Sequence, residues 1–321
     1  LESCKESTPP IIDIKPHSSI VLIGNNLGSR MMEYGSLETE FHLRYPTDSL
    51  FIRNMCDAGD TPGFRPHSGR VSPWAFPGAE NFQTELAQNS GSEGEFETPD
   101  EWLTRLKADI VLAFFGYNES FEGAEGLDNY KKELDAFIKH SLKQRYNGTT
   151  TPQLVLISPI AFEDLSDHID VPNGQLENKN LNLYTAAMSE VAKANNIPFI
   201  NVFEASKKWF KNTNDDFTID GSQMNKVGYE TFAKFLADQL TGNTSVKQEN
   251  KRVAIKEAVL EKNFYWHNDY KIPNGVHVFG RRHAPYGPDN YPYEIRKTRE
   301  LTAIRDTAIW AAAQGNTYNL K

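Results

Sequence analysis

The stretch Ser19-Ile20-Val21-Leu22-Ile23-Gly24-Asn25-Asn26-Leu27-Gly28-Ser29-Arg30 decides the fold. Its first half is an apolar run rich in β-branched residues, which reads as a strand buried on both faces, and Gly24 ends it. The polar turn leads into a helix, read over residues 28–43 from the apolar positions Leu27, Met31, Tyr34 and 37–41. The same grammar recurs along the chain. Strands are expected at 49–54, 110–115, 153–158 and 198–203, and helices at 100–107, 127–145, 178–195 and 228–240. Thr98-Pro99-Asp100-Glu101 supplies a cap, a rigid first helical residue and acidic residues in the first turn. Strand and helix alternate throughout, so the chain reads as α/β, a parallel sheet with helices on both faces.

Around this centre the chain divides in three. Residues 1–17 are polar and proline-containing and read as a tether. Residues 18–241 form the α/β domain. Residues 245–321 read as an extension packed on it: a charged helix over 246–262, a non-periodic aromatic and polar stretch over 263–293, and a last helix over 294–313. Residues 58–99 are rich in Gly, Pro, Ser and Asn, and a loop of that length inside a compact domain tends to be functional. Within it, residues 72–78 read as a packed cover.

Composition narrows the function classes. Acidic residues outnumber basic ones, 43 to 34, for a formal net charge of −9. A general nucleic-acid binder needs a positive face to displace counterions, so no nucleic-acid partner is expected. The longest apolar runs, such as 110–115, fall far short of the roughly 20 residues a membrane span requires. Aromatics make up 12% of the chain, too many for a disordered protein. The two cysteines, Cys4 and Cys56, make neither a disulfide framework nor a thiolate metal site, and no metal or cofactor is expected.

In open parallel sheets ligands bind outside the carboxyl ends of the strands. Four polar, glycine-containing loops are placed there: 24–30, 54–61, 115–120 (Phe115-Gly116-Tyr117-Asn118-Glu119-Ser120) and 219–229, which begins Ile219-Asp220-Gly221-Ser222-Gln223. Together they resemble the sequence blocks of the SGNH, or GDSL-type, hydrolases, over about residues 18–240. Gly24-Asn25-Asn26-Leu27 takes the place of Gly-Asp-Ser-Leu. Gly59 matches the oxyanion glycine, Gly116-Tyr117-Asn118-Glu119 matches Gly-x-Asn-Asp, and Asp220 to Gln223 matches the final Asp-x-x-His block. The resemblance implies a flavodoxin-like three-layer sandwich and hydrolytic activity. The chain is also similar to a divergent branch of that family in carbohydrate-degrading bacteria, which implies a saccharide substrate.

The departures carry as much as the matches. Asn26 stands at the nucleophile position and Gln223 at the general-base position. An amide nitrogen is delocalised into its carbonyl, and Gln accepts no proton near neutral pH, so the serine mechanism does not run from these positions. Three readings remain. Ser29 or Ser120 attacks, with a histidine arriving from elsewhere; His267, His277 and His283 lie in the extension. Alternatively Asp60, Glu119 and Asp220 act as acid and base, as paired carboxylates do in glycoside hydrolysis, while Asn25, Asn26, Asn118 and Gln223 hold sugar hydroxyls. Or the pocket binds a sugar without turning it over. Arg30, one turn beyond Asn26, and Arg281 beside His277 are candidates to meet an anionic group on the substrate.

The start, Leu1-Glu2-Ser3-Cys4 followed by a polar segment, resembles a mature bacterial lipoprotein. That resemblance implies attachment to a membrane only through a lipid on Cys4, and a periplasmic or outer-membrane location. The expectation is therefore a carbohydrate-directed hydrolase with a non-standard site, acting on a glycosidic or ester bond, with a catalytically inactive carbohydrate-binding protein as the alternative.

Overall fold

In the computed structural model the described residues are 9–89, 94–211, 214–242, 246, 248–272, 274–289 and 291–318. Cys4 and its expected lipid lie outside them.

The elements run β1 (Ser19–Gly24), α1 (Asn26–Ser29), α2 (Met31–Tyr34), α3 (Ser36–Arg44), β2 (Phe51–Asn54), α4 (Thr84–Asn89), α5 (Pro99–Arg105), β3 (Ile110–Phe114), α6 (Leu127–Ser141), β4 (Gln153–Ile157), α7 (Gln175–Ala194), β5 (Phe199–Ile200), α8 (Val202–Trp209) and α9 (Lys226–Thr241). The extension adds α10 (Arg252–Tyr270), α11 (Gly275–Val278), α12 (Tyr286–Asp289) and α13 (Tyr291–Ala313). All strand pairs are parallel, in the order β2-β1-β3-β4-β5. Apolar cores fill both faces of the sheet, one built on Val21, Val111, Leu154 and α6–α7, the other on Ile20, Leu112, Val155 and α3–α9. This is the expected α/β sandwich.

Several boundaries differ from the sequence reading, each for a local reason. The helix expected over 28–43 is three short helices, and Gly35, in the left-handed conformation (φ 65°), separates α2 from α3. The strand expected over 198–203 is only two residues long: Asn201 caps α8 by accepting from Glu204 N at 2.9 Å and turns the chain into a helix. Residues 11–17 are not a free tether, since Ile12 is buried and both Ile11 N and Ile12 N donate to Leu240 O. The cap before α5 forms as expected, with Thr98 and Glu101 bonded reciprocally and Pro99 opening the helix.

The largest difference lies in residues 263–270, which continue α10 as helix. Its buried face carries Val259, Lys262, Asn263, Trp266, Asp269 and Tyr270, so charged and amide groups interrupt the apolar periodicity. Each polar member has a tertiary partner: Lys262 Nζ meets Glu38 Oε2 at 2.8 Å, Asn263 Nδ2 meets Met32 O at 3.0 Å, and Asp269 pairs with Arg299 at 3.1 Å.

This extension closes the sheet. β2 is an edge strand, and Phe51, Ile52, Arg53 and Asn54 register with β1. The carbonyls of alternate residues 50, 52 and 54 face outward, where an unpaired edge would invite another strand. Trp310 Nε1 donates to Leu50 O (2.9 Å), Lys262 Nζ to Ile52 O (3.0 Å) and Trp266 Nε1 to Asn54 O (2.7 Å). Arg53 and Asp306 of α13 add a buried pair at 2.9 and 2.6 Å.

Candidate active site

The strand order reverses direction between β1 and β3, and the crevice of a doubly wound sheet opens at the carboxyl ends of those two strands. Three of the four loops meet there. Asn25 N donates to Phe114 O and Asp57 N to Gly24 O, both at 2.9 Å. Gly24 makes this approach feasible: its φ is +126°, and a Cβ would lie 2.0 Å from Phe114 O. Asn25 is turned inward; its Nδ2 donates to Glu119 Oε2 at 3.3 Å, the oxygen that also accepts from Gly116 N at 2.8 Å. Asn118 Nδ2 donates to Asp60 O at 3.3 Å, tying the second loop to the third.

Asn26 and Gly59 face outward. Among the described residues the Asn26 carboxamide has no hydrogen-bond partner, and it is half-buried. Gly59 is exposed with φ +91°, and among the described residues nothing would come within 4 Å of a Cβ on it and its N–H is unbonded. An unbonded backbone donor over open space is suited to a developing oxyanion.

The fourth loop connects α8 to α9 and does not follow a strand, as the sequence reading had it. Its root is pinned by Glu163, whose Oε2 accepts from Thr218 N and Thr218 Oγ1, both at 2.7 Å. At its tip Asp220 Oδ1 accepts from Gln223 N (2.7 Å), Ser222 N (2.9 Å) and Ser222 Oγ (3.0 Å), and Oδ2 accepts from Gln223 Nε2 (2.9 Å). Partial burial pushes the Asp220 carboxyl up, but these bonds to its charged form outweigh that and hold it below the usual carboxylate range. Gln223 therefore donates to Asp220 through both its main chain and its side chain. Tyr229 Oη donates to Leu27 O at 2.9 Å and its ring stacks on Tyr34, joining α9 to the first loop.

The other two acidic candidates are biased the opposite way. Burial, opposed by the Arg65 guanidinium, pushes Asp60 well above the usual range; the residue is 2% exposed and its Oδ1 has no partner. Burial, reinforced by the nearby Glu133 carboxylate, pushes Glu119 up to about 8 against the bonds from Gly116 and Asn25, and its Oε1 is also without a partner. A carboxyl whose folded pKa is raised costs stability as pH climbs from its unfolded value to its folded one. Glu119 thus favours folding least above about pH 8 and most near its unfolded value of 4.5. The variant Glu119→Gln, which stays neutral, is expected to remove a fall of a few kcal/mol across that window. Denaturant unfolding at pH 5 and pH 8.5 measures it; equal falls in both proteins would show that Glu119 is ionised in the fold.

The remaining candidates disperse. Ser29 Oγ accepts from Lys271 Nζ at 3.0 Å, and Lys271 pairs with Asp57 Oδ1 at 3.0 Å. Ser29 and Lys271, with His267, line a cleft of about 650 Å³ between α1–α2 and α10. Burial and the Lys271 charge push His267 below its usual value. Ser120 is buried and donates to Tyr117 O at 2.6 Å. Among the described residues no imidazole bonds a hydroxyl or thiol; His67, His277 and His283 are taken up by main-chain or amide oxygens. Arg30 is engaged by Tyr34 and Glu33. His277 and the exposed Arg281 sit on and just after α11, which packs on the loop around Gly69 and Glu95. Among the described residues no hydrogen bond or ion pair joins them to the crevice. In the long loop Ala75 and Phe76 are buried as expected of a cover, and Trp74 and Phe76 line a surface groove of about 630 Å³.

Sequence reasoning missed Lys271, Glu163 and Glu133. Only Glu133 left a signal: it falls between Tyr130 and Phe137 on the apolar stripe of α6, where a carboxyl must be buried.

No protein-family model and no curated protein matches the chain. Among solved structures it is similar to a gut microbial diltiazem-metabolizing enzyme, at 12% identity and a TM-score of 0.49, covering 72% of this chain and 48% of that one. It is similar to an acetylxylan esterase from Geobacillus stearothermophilus, solved as a catalytic mutant, at 12% identity and a TM-score of 0.48 over 71% of this chain and 96% of that one. An alpha/beta hydrolase enzyme from the metagenome of Lake Arreo, Spain, is 16% identical, with a TM-score of 0.48 over 72% of this chain and 98% of that one. The chain spans 48% of the first protein's length, about half. The second and third of these neighbours are an esterase and an alpha/beta hydrolase, and the likeness concerns the fold.

Proposed function

We propose that the chain is a carbohydrate-directed hydrolase of the SGNH-like fold in which carboxyl groups, in place of serine and histidine, carry the proton transfers. The observation that carries this reading is the opposite bias of two candidate carboxyls. Glu119 is held neutral to about pH 8, while Asp220 is held ionised by four hydrogen bonds. Two carboxyls pushed apart in this way divide naturally into an acid and a base. Glu119 Oε1, unpartnered and lining a cavity, is the proton donor to the leaving oxygen. Asp220 activates water or attacks the reacting carbon, and Gly59 N–H and Asn118 Nδ2 lie on the loops that would receive developing negative charge. The lack of an imidazole–hydroxyl pair among the described residues supports this over serine chemistry. On the same reading a lipid on Cys4 holds the enzyme at the bacterial membrane.

The test is a panel of neutral and acetylated oligosaccharides, with reducing ends and acetate measured separately, so that the product identifies the bond. Activity is expected to fall by at least about a hundredfold in Asp220→Asn and in Glu119→Gln, with saccharide binding retained. The rate should drop as pH rises past about 8, where Glu119 loses its proton, and below the usual carboxylate range, where Asp220 gains one. Rates insensitive to both substitutions would remove the mechanism. Saturable binding with no product would favour the catalytically inactive alternative, in which the outward Asn26 amide and Gly59 N–H serve as binding donors.

A further inference from the structure

Beneath Asn118 lies a cavity of about 70 Å³ whose floor is Glu119, Tyr130 and Glu133 and whose mouth is rimmed by the exposed Glu122 and Asn129. Two polar atoms on its floor are unsatisfied: Glu119 Oε1 and the Tyr130 hydroxyl, on residues 7% and 3% exposed. Buried polar atoms are normally paired, so two of them lining one polar cavity mark a place where a ligand group completes the bonding. Glu133 is already fixed: Oε1 accepts from Gly63 N (2.9 Å) and Thr61 Oγ1 (3.1 Å), and Oε2 from Gln83 Nε2 (3.1 Å). Two glycines admit the carboxylates, since a Cβ on Gly63 would lie 2.7 Å from Glu133 Oε1 and one on Gly126 would lie 2.4 Å from Glu122 Oε2.

The charge around this space has one sign. Glu119, Glu133 and Tyr130 are each shifted toward the neutral form by burial first and then by acidic neighbours within the group. Among the described residues the charges that act on them most strongly are acidic groups. Such a site gains most by admitting a positive group that donates several hydrogen bonds. Among the described residues no three histidine, cysteine, aspartate or glutamate side chains are disposed to hold a metal ion, which favours an organic ammonium over a metal.

We propose that this cavity is a subsite for the primary ammonium group of an unacetylated amino sugar. The ammonium would donate to the Tyr130 oxygen and the Glu133 carboxylate, with Glu122 attracting it at the mouth, while the protonated Glu119 Oε1 beside it donates to the oxygen of the adjoining bond. The inference rests on the hydrolase reading in taking the ammonium's carrier to be a saccharide; the binding itself needs no catalysis.

Calorimetric titration of the full chain with glucosamine, glucose and N-acetylglucosamine at pH 7 tests it. Glucosamine is expected to bind at least about tenfold more tightly than the other two. Glu133→Gln should erase that preference, and Glu122→Gln, at the exposed mouth where folding is not at stake, should weaken it severalfold without changing glucose binding. Equal affinity for the three sugars, or no binding of glucosamine, overturns the proposal. So does calcium or potassium chloride competing for the site at concentrations where choline chloride does not, because that pattern belongs to a metal site. Hydrolysis of neutral oligosaccharides is measured separately, so the subsite can fail while the hydrolase reading stands, and the reverse.

Discussion

Trp266→Ala is expected to destabilise the chain by about 3–5 kcal/mol, the range for deleting a fully buried large aromatic side chain. Trp266 is 1% exposed, stacks on Tyr270 with ring centroids 5.5 Å apart and meets Trp102 edge-on at 5.6 Å. The Arg53 guanidinium lies 5.6 Å from its ring centroid, and its Nε1 satisfies Asn54 O at the sheet edge. Truncation leaves a cavity between α10 and α5 and strips one edge carbonyl of its donor. Trp266→Phe separates the two effects. It keeps most of the packing and loses the hydrogen bond, for an expected cost of about 1–3 kcal/mol. Urea unfolding at a single protein concentration measures both. A cost below about 1 kcal/mol for the alanine variant would mean that the extension unfolds independently of the sheet.

Arg53→Met is expected to cost about 3–5 kcal/mol, because it leaves the Asp306 carboxylate buried without its partner. Arg53 and Asp306 are 9% and 2% exposed and joined by two parallel hydrogen bonds, the fork geometry that arginine and a carboxylate share. Lys262 lies within electrostatic reach of Asp306 and places the cost toward the lower end. The informative comparison is Arg53→Met with Asp306→Leu. Removing both charges removes the desolvation penalty along with the attraction, so the double variant should recover most of the loss. If the double variant is as unstable as the two singles added together, the pair is not coupled and the lost packing of the arginine stem is responsible.

Much of the scaffold was legible because strands and helices were specified by local pattern. Residues 20–23 and 110–115 are continuous apolar runs each followed by a glycine, and both are buried in the sheet. Residues 127–141 carry an apolar stripe at helical spacing. The strand-end loops were legible for a related reason: Gly24 and Gly116 have positive φ, and a turn of that kind must show glycine whatever surrounds it. The ends of elements were less legible, since Asn201 and Gly35 act through capping and handedness, which override the propensity of their neighbours.

The candidate site was legible as a set of loops and less so as a set of roles. Asn25 and Asn26 are adjacent and chemically identical, yet one clamps Glu119 inside the molecule and the other meets solvent. Asp60 and Asp220 are both aspartates in polar loops, yet burial pushes one toward its neutral form and hydrogen bonds hold the other toward its charged form. Residue type fixes what a group is capable of; its protonation and direction are set by neighbours distant in sequence.

By itself, the sequence determined the alternation of strand and helix and the glycine-bearing turns at the crevice. These follow from residue identity and short-range geometry. Only the tertiary structure decided that α10 is a helix with Lys262, Asn263 and Asp269 on its buried face, that it and α13 cap the free carbonyls of β2, and which carboxyls are pushed toward the neutral form. Burying a polar group is tolerable only when a specific partner meets it. Those partners, Glu38, Met32 O and Arg299 among them, come from segments that share no local pattern with the residues they satisfy.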